Sequence, residues 1–191
     1  MPRTSPKVFS VGRFPDEVIQ LDRGRLRRLE LRDLADIRAA RNDDAIRAWL
    51  PLPIPYTDDD ARSFVVDHAP RHQQRGDGIE RAVESDGRLC GVVGLRATDW
   101  TIGKTEAGYW MAPWGRGRGL MTTALRALTD FAFDHGMQRV EVQVATGNLA
   151  SLGVALRAGF RIEGTLRRAR RTHDGLVDVL VLSRLDDDPF T

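Results

Sequence analysis

The spacing of apolar residues changes period along the chain, and each change marks an element. In "GRLRRLELRDL", residues 24 to 34, Leu26, Leu29 and Leu31 alternate imperfectly with arginines, which predicts a strand. Asp33 then stands where a helix through "DLADIRAARNDD" needs its amino-terminal cap. Pro51, Pro53 and Pro55 forbid a regular helix in the stretch that follows. Thr57 can cap the next helix, where Ala61, Phe64, Val65 and His68 share a face and Asp58 to Asp60 suit a helix start. "IERAVESDGRLCGVVGLRATDW" reads as two strands about Asp86–Gly87, the strongest hairpin signal in the chain. "KTEAGYWMAP" is a further strand with Glu106, Gly108 and Trp110 on one face.

From Leu120 to about His135 the apolar spacing is helical, and Gly136 ends the run. "QRVEVQVAT" predicts a strand with Val140, Val142 and Val144 on one face. A helix capped by Asn148 and stopped by Gly159 follows. The chain closes in a hairpin expected to turn at Asp174–Gly175. No repeat or linker interrupts this order. It predicts one α/β domain over residues 23 to 191, after a lead-in over residues 1 to 22 broken by Pro2, Pro6 and Pro15.

Composition narrows the function. The 29 basic and 27 acidic side chains nearly cancel, which argues against a dedicated nucleic-acid partner. No apolar run is long enough to span a bilayer, and no secretory leader is visible, so no membrane partner is expected. A single cysteine, Cys90, rules out an internal disulfide and fits a cytoplasmic location. His68 and His72 are spaced i, i+4 as a metal pair can be, but no third ligand is evident, so no metal is expected.

The chemistry concentrates in "WGRGRGLMTTAL". Gly115, Gly117 and Gly119 alternate with Arg116 and Arg118 at the mouth of the long helix. Free N–H groups and a partial positive charge at a helix amino terminus bind phosphate, and glycines let the backbone approach it. The stretch lacks the glycine-lysine-serine/threonine ending of a P-loop, and its glycines miss the spacing of a dinucleotide fold.

The order "EAGYWMAP…RGRGLMTTALRALTDFAFDHGMQRVEVQVATGNLASLGVALRAGFRIEGTLR" resembles the GNAT acyltransferases, in particular the RimJ/RimL-like subgroup of ribosomal-protein N-acetyltransferases. The family's Arg/Gln-x-x-Gly-x-Gly/Ala signature lands on Arg116, Gly119 and position 121, where Met121 replaces a small residue. A second signature lands on Asn148, Ser151, Gly159 and Phe160, and Glu163–Gly164 matches the subgroup's "EG" pair. The resemblance implies a mixed, twisted sheet of about seven strands with about four helices. It also implies acetyl-CoA as co-substrate, its pyrophosphate held by N–H groups of about Gly117 to Thr122, including those of Arg118, Leu120 and Met121. Homodimers are common among such relatives.

By the same resemblance an amine attacks the thioester directly. A backbone N–H near Trp110 or Met111 would hold the oxyanion. Ser151 would protonate the departing thiolate, and Glu106 is the best-placed base. Each has a structural alternative: Ser151 and Asn148 as helix-start residues, Glu106 as an exposed strand glutamate. Relatives with a carboxylate shortly after the "EG" pair differ from this chain, which has Arg167, Arg168 and Arg170 there. An α-amine of pKa about 7.7–8.0 is on the order of 10% neutral at pH 7 and needs little help; a lysine needs far more. A protein amino terminus is thus one acceptor. A polyamine or antibiotic amine is another, with Asp58 to Asp60 as its acidic lining, and a CoA-binding sensor without turnover is the third reading. Trp49, Tyr56, Trp100, Tyr109 and Trp110 are the candidate pocket aromatics, with packing the favoured role for Tyr109 and Trp110.

Overall fold

The computed structural model describes residues 12–189. The first eleven residues of the expected lead-in, with Pro2 and Pro6, lie outside that range. Within it, Ile19–Leu21 forms a short strand, β1, and Phe14 is buried in the core. β2 (Gly24–Arg27) pairs with β1 and ends sooner than the leucine pattern predicts. Leu29 stays buried after the strand, but Leu31 is exposed and opens a single 3-10 turn, Leu31–Asp33.

Four short helical pieces follow: α1 (Leu34–Arg41), α2 (Asp44–Arg47), α3 (Asp58–Ser63) and α4 (Ala69–Gln74). A π turn, Phe64–His68, joins α3 to α4. Thr57 caps α3 as expected: its hydroxyl accepts from the Asp60 N–H at 3.2 Å, and the Asp60 carboxylate accepts from the Thr57 N–H at 2.8 Å. Asp33 does not cap α1 with its side chain. Its carboxylate accepts instead from the Glu30 N–H and from both Nη atoms of Arg27.

The remaining elements are β3 (Ile79–Ser85), β4 (Arg88–Asp99), β5 (Lys104–Met111), α5 (Leu120–Asp134), β6 (Arg139–Ala145), α6 (Leu149–Arg157), β7 (Arg161–Thr172) and β8 (Gly175–Leu185). The hairpin at Asp86–Gly87 forms where predicted, both residues at positive φ. The last turn sits one residue early, at His173–Asp174, because Gly175 already pairs with Thr172. The eight strands make one sheet in the order β1-β2-β3-β4-β5-β6-β8-β7, with only β5 and β6 parallel. The extra strand over the expected seven is the short β1.

Alternation along the strands sends side chains to two cores. Ile79, Val83, Val93, Leu95, Ala107, Val140, Val142 and Val144 pack under α5. Ala82, Val92 and Trp110 pack under α1 and α3 with Ile37, Ala40, Tyr56 and Ala61. No helix among the described residues is long and apolar enough to cross a membrane.

Candidate active site

β5 and β6 begin as parallel neighbours and then part. Their register runs from Lys104↔Arg139 to Ala107↔Val142, while β5 continues to Met111 and β6 to Ala145. Gly108 is the first residue of β5 beyond the paired segment. The divergence leaves a cleft at the carboxyl ends of two parallel strands, the usual place for a ligand in an α/β sheet. The Ala112 N–H donates to the Cys90 carbonyl at 2.8 Å. Backbone direction alternates along an extended strand, so the N–H groups of Met111 and Tyr109 point the other way, into the cleft. Trp110's N–H faces β4.

Past β5 the chain makes a 3-10 turn, Pro113–Gly115, and enters α5 through Gly119. Gly117 and Gly119 both have φ of 73°, the left-handed region. No N–H from Gly117 to Thr122 donates to a protein acceptor among the described residues; the first bond of the helix is Thr123 N–H to the Gly119 carbonyl at 3.2 Å. Leu120 and Met121 point their side chains into the core. Met121 therefore offers its N–H to the loop without crowding it. The two arginines are already partnered. Arg116 pairs with Asp43, and Arg118 with Asp86 at 2.7 Å and Ser85 Oγ at 3.2 Å.

On the α6 side, Asn148 Oδ1 accepts from the Ser151 N–H at 3.0 Å, so this asparagine is a helix cap. Ser151 Oγ donates to the Tyr109 hydroxyl at 3.1 Å, which donates to the Ser151 carbonyl at 2.9 Å. This bridge spans the cleft from β5 to α6. Burial pushes the Tyr109 hydroxyl up to about 12, against the opposing effect of the Ser151 bond. Sequence reasoning took Tyr109 for a packing ring; only its partner across the cleft reveals the pair.

Glu106 lies on the opposite face of β5. It pairs with Arg96 and lies 3.9 Å from Arg170 Nη2. Glu163 is engaged too: Arg139 and Ser183 Oγ bond it and hold its carboxyl at about 2, far from a base. The acidic run Asp58 to Asp60 is largely spent, Asp58 on Arg38 at 2.8 Å and Asp60 on the α3 cap. Among the candidate aromatics, Tyr56 and Trp110 face Arg41, Trp49 packs against Gly147, and Trp100 sits apart against Phe14. Cys90 is a buried core thiol.

The third ligand that the sequence does not show beside His68 and His72 is Glu80; their ligating atoms lie within 4.8 Å of one another. His68 stacks on Phe64 and His72. Arg41 and Arg96 face the same carboxylate, and two fixed cations oppose a metal there.

A family profile described as an acetyltransferase (GNAT) domain matches residues 23–161. The ribosomal-protein-serine acetyltransferase of Escherichia coli (strain K12) is 30% identical over 147 residues, 74% of this chain and 82% of that protein. A Bacillus subtilis (strain 168) protein, YdaF, provisionally named a ribosomal N-acetyltransferase, is 34% identical over 129 residues, 66% of this chain and 70% of its own. Among solved structures, RimL, a ribosomal L7/L12 α-N-protein acetyltransferase in complex with coenzyme A, aligns with a TM-score of 0.81. It is 23% identical over 90% of this chain and 99% of its own, a likeness of fold.

Proposed function

The chain belongs to the GNAT acetyltransferase family, and on that premise we propose that it moves the acetyl group of acetyl-CoA to the α-amine of a protein amino terminus. The observation that carries the reading is the run of N–H groups from Gly117 to Thr122 without partners among the described residues, beside the cleft between β5 and β6. Those groups and the α5 dipole suit a pyrophosphate. With Arg116 and Arg118 tied to carboxylates, the backbone supplies most of the attraction. The cleft between the strands suits the pantetheine arm. The Met111 and Tyr109 N–H groups are the donors available to a developing oxyanion; Met111 is one of the two expected donors, while the N–H of the other, Trp110, faces β4. Ser151 and Tyr109 supply hydroxyl protons for the departing thiolate.

The spent acidic run weighs against a polyamine, which needs free carboxylates. The E. coli relative's named substrate is a ribosomal protein, and an α-amine asks little of a base. Purified protein incubated with acetyl-CoA and serine-terminated peptides should add one acetyl group at the terminal nitrogen, read by tandem mass spectrometry. Peptides blocked at that nitrogen but carrying a lysine should stay unmodified. Transfer to spermidine or an aminoglycoside but to no peptide would replace this acceptor, and tight acetyl-CoA binding without any transfer would make the protein a sensor.

A further inference from the structure

Beside the carboxyl end of β6, where the cleft is widest, the last hairpin is distorted. Leu166 pairs with Val179 and Arg170 with Val177, so Arg167, Arg168 and Ala169 of β7 face Asp178 alone. Arg168 has φ of 49°, in the left-handed region, which a residue with a side chain holds only when its surroundings fix it. Asp178 does so. Its Oδ1 accepts from the Arg168 N–H at 2.8 Å, and its carbonyl accepts from the Thr146 N–H, just past β6, at 3.0 Å. One residue thus ties the bulge to the rim of the cleft.

The bulge is cationic. From Arg161 to Leu185 the chain has six arginines and three carboxylates. Glu163 is spent on Arg139 and Ser183, and Asp178 on the bulge itself. Arg167, Arg168 and Arg171 are exposed, and their side chains have no hydrogen-bond or ionic partner among the described residues. Arg170 instead reaches to 3.9 Å from Glu106 on β5, a carboxylate already paired with Arg96. β6 and β8 lie between β5 and β7 in the sheet, so the end of the hairpin leans across the end of β6 to make that approach. Burial, with the like charge of Arg96, pulls the Arg170 guanidinium below the usual arginine range, and Glu106 only partly offsets it. Cations outnumber the carboxylates left to meet them.

We propose that the bulge arginines are a docking surface for the acceptor chain and select protein amino termini that are followed by aspartate and glutamate residues. The proposal rests on the acetyl-transfer reading above and names the substrate class of that site. The Arg96 guanidinium lies 3.0 Å from where a methyl group on Gly108 would stand, so it covers that part of β5 and leaves the rim beside the bulge as the approach. A chain whose terminal nitrogen enters there extends outward at about 3.3 Å per residue, and its next few residues pass the bulge. Carboxylates on them gain charge-assisted bonds with guanidiniums that have no other partner. A polyamine or a lysine-rich terminus meets like charges instead. The same cations disfavour the ammonium form of the terminal amine and so favour the neutral form that attacks. Nucleic-acid phosphates could use the same guanidiniums, but 29 basic against 27 acidic side chains supply no wider basic surface for them.

The test is steady-state kinetics of serine-terminated peptides, identical except that the few residues after the serine are Asp and Glu, Asn and Gln, or Lys. Wild type is compared with the double variants Arg167→Gln, Arg171→Gln and Arg167→Glu, Arg171→Glu at about 0.05 M and about 0.5 M salt. For the wild type, kcat/KM should be about 10-fold higher for the acidic peptide than for the neutral one, chiefly through KM, and the ratio should shrink at high salt. The double glutamine variant should bring that ratio to within about 2-fold of unity. The double glutamate variant should invert the preference in favour of the lysine peptide, which also shows that it is folded. Equal rates for the acidic and neutral peptides, or a preference that the glutamate variant leaves untouched, would overturn the proposal and leave the acetyltransferase reading intact. So would RNA binding, read by fluorescence anisotropy, that the glutamate variant loses and the acidic peptide does not displace. Failure of the wild type to acetylate any peptide terminus would instead remove the reading beneath it.

Discussion

A methyl group at Gly115 would meet Met111 Sδ at 2.5 Å and Cys90 Cβ at 2.9 Å, whereas at Gly117 or Gly119 it would meet nothing within 4 Å. Three glycines that look alike in sequence therefore answer to different demands: close packing at the first, a left-handed backbone at the other two. Gly119→Ala should cost about 1 kcal/mol, the strain of a side chain in that region. Gly115→Ala should cost about 1–3 kcal/mol, since Met111 or Cys90 must move. Urea denaturation of the two variants checks the order, and the reverse order would contradict it. The need for glycine was legible in the sequence; which need applied was not, because Met111 and Cys90 approach only after β4 and β5 pair. Ser151 shows the same limit. Its motif was readable, but the Tyr109 hydroxyl that shares its proton lies 42 residues away.

Elements with a strong internal period were legible throughout. α5, α6, β3–β4 and β6 form where their apolar spacing and their terminal Asn148, Gly136 and Gly159 put them. The misses fall where a long-range contact overrides local preference. β2 stops at Arg27 because that side chain turns inward, bidentate on Asp33 at 2.7 and 2.8 Å and bonded to Glu84 on β3. All three are at most 5% exposed. An arginine-rich strand face that reads as solvated thus hides a buried ion network tying β2, β3 and the start of α1. Arg27→Ala would leave the buried Asp33 without its cation, while Glu84 keeps Arg25 and Arg32, and should destabilise the fold by about 3 kcal/mol in chemical denaturation, with Arg27→Lys recovering part. A loss within about 0.5 kcal/mol, the range of ordinary surface changes, would show the network to be dispensable. The π turn between α3 and α4 has no sequence signal either, yet it stacks His68 on both Phe64 and His72.

At the scale of the whole molecule, the sheet divides the work between its two faces. One carries α5, the N–H groups without partners among the described residues and the Ser151–Tyr109 bridge; the other carries the buried Arg41 among the Tyr56, Phe64 and Trp110 rings, under the first four helices. The proposed cofactor half could be put forward from the sequence because its parts are nearly contiguous, from Trp110 to Ser151. On the other face Arg41 of α1 meets Tyr56, Phe64 and Trp110, brought together from far apart in the chain, and no local pattern announces the cluster. Glu106, the base suggested by the sequence, is paired with Arg96 and Arg170. Everything in this account depends on the loop before α5 holding a pyrophosphate with its backbone. Calorimetric titration with acetyl-CoA and with S-acetylpantetheine, which carries the same thioester without the nucleotide, tests that most directly. Acetyl-CoA should bind at one site per chain and S-acetylpantetheine at least about 100-fold more weakly, the worth of two charge-assisted hydrogen bonds. Equal affinities, or no binding of acetyl-CoA, would contradict the account.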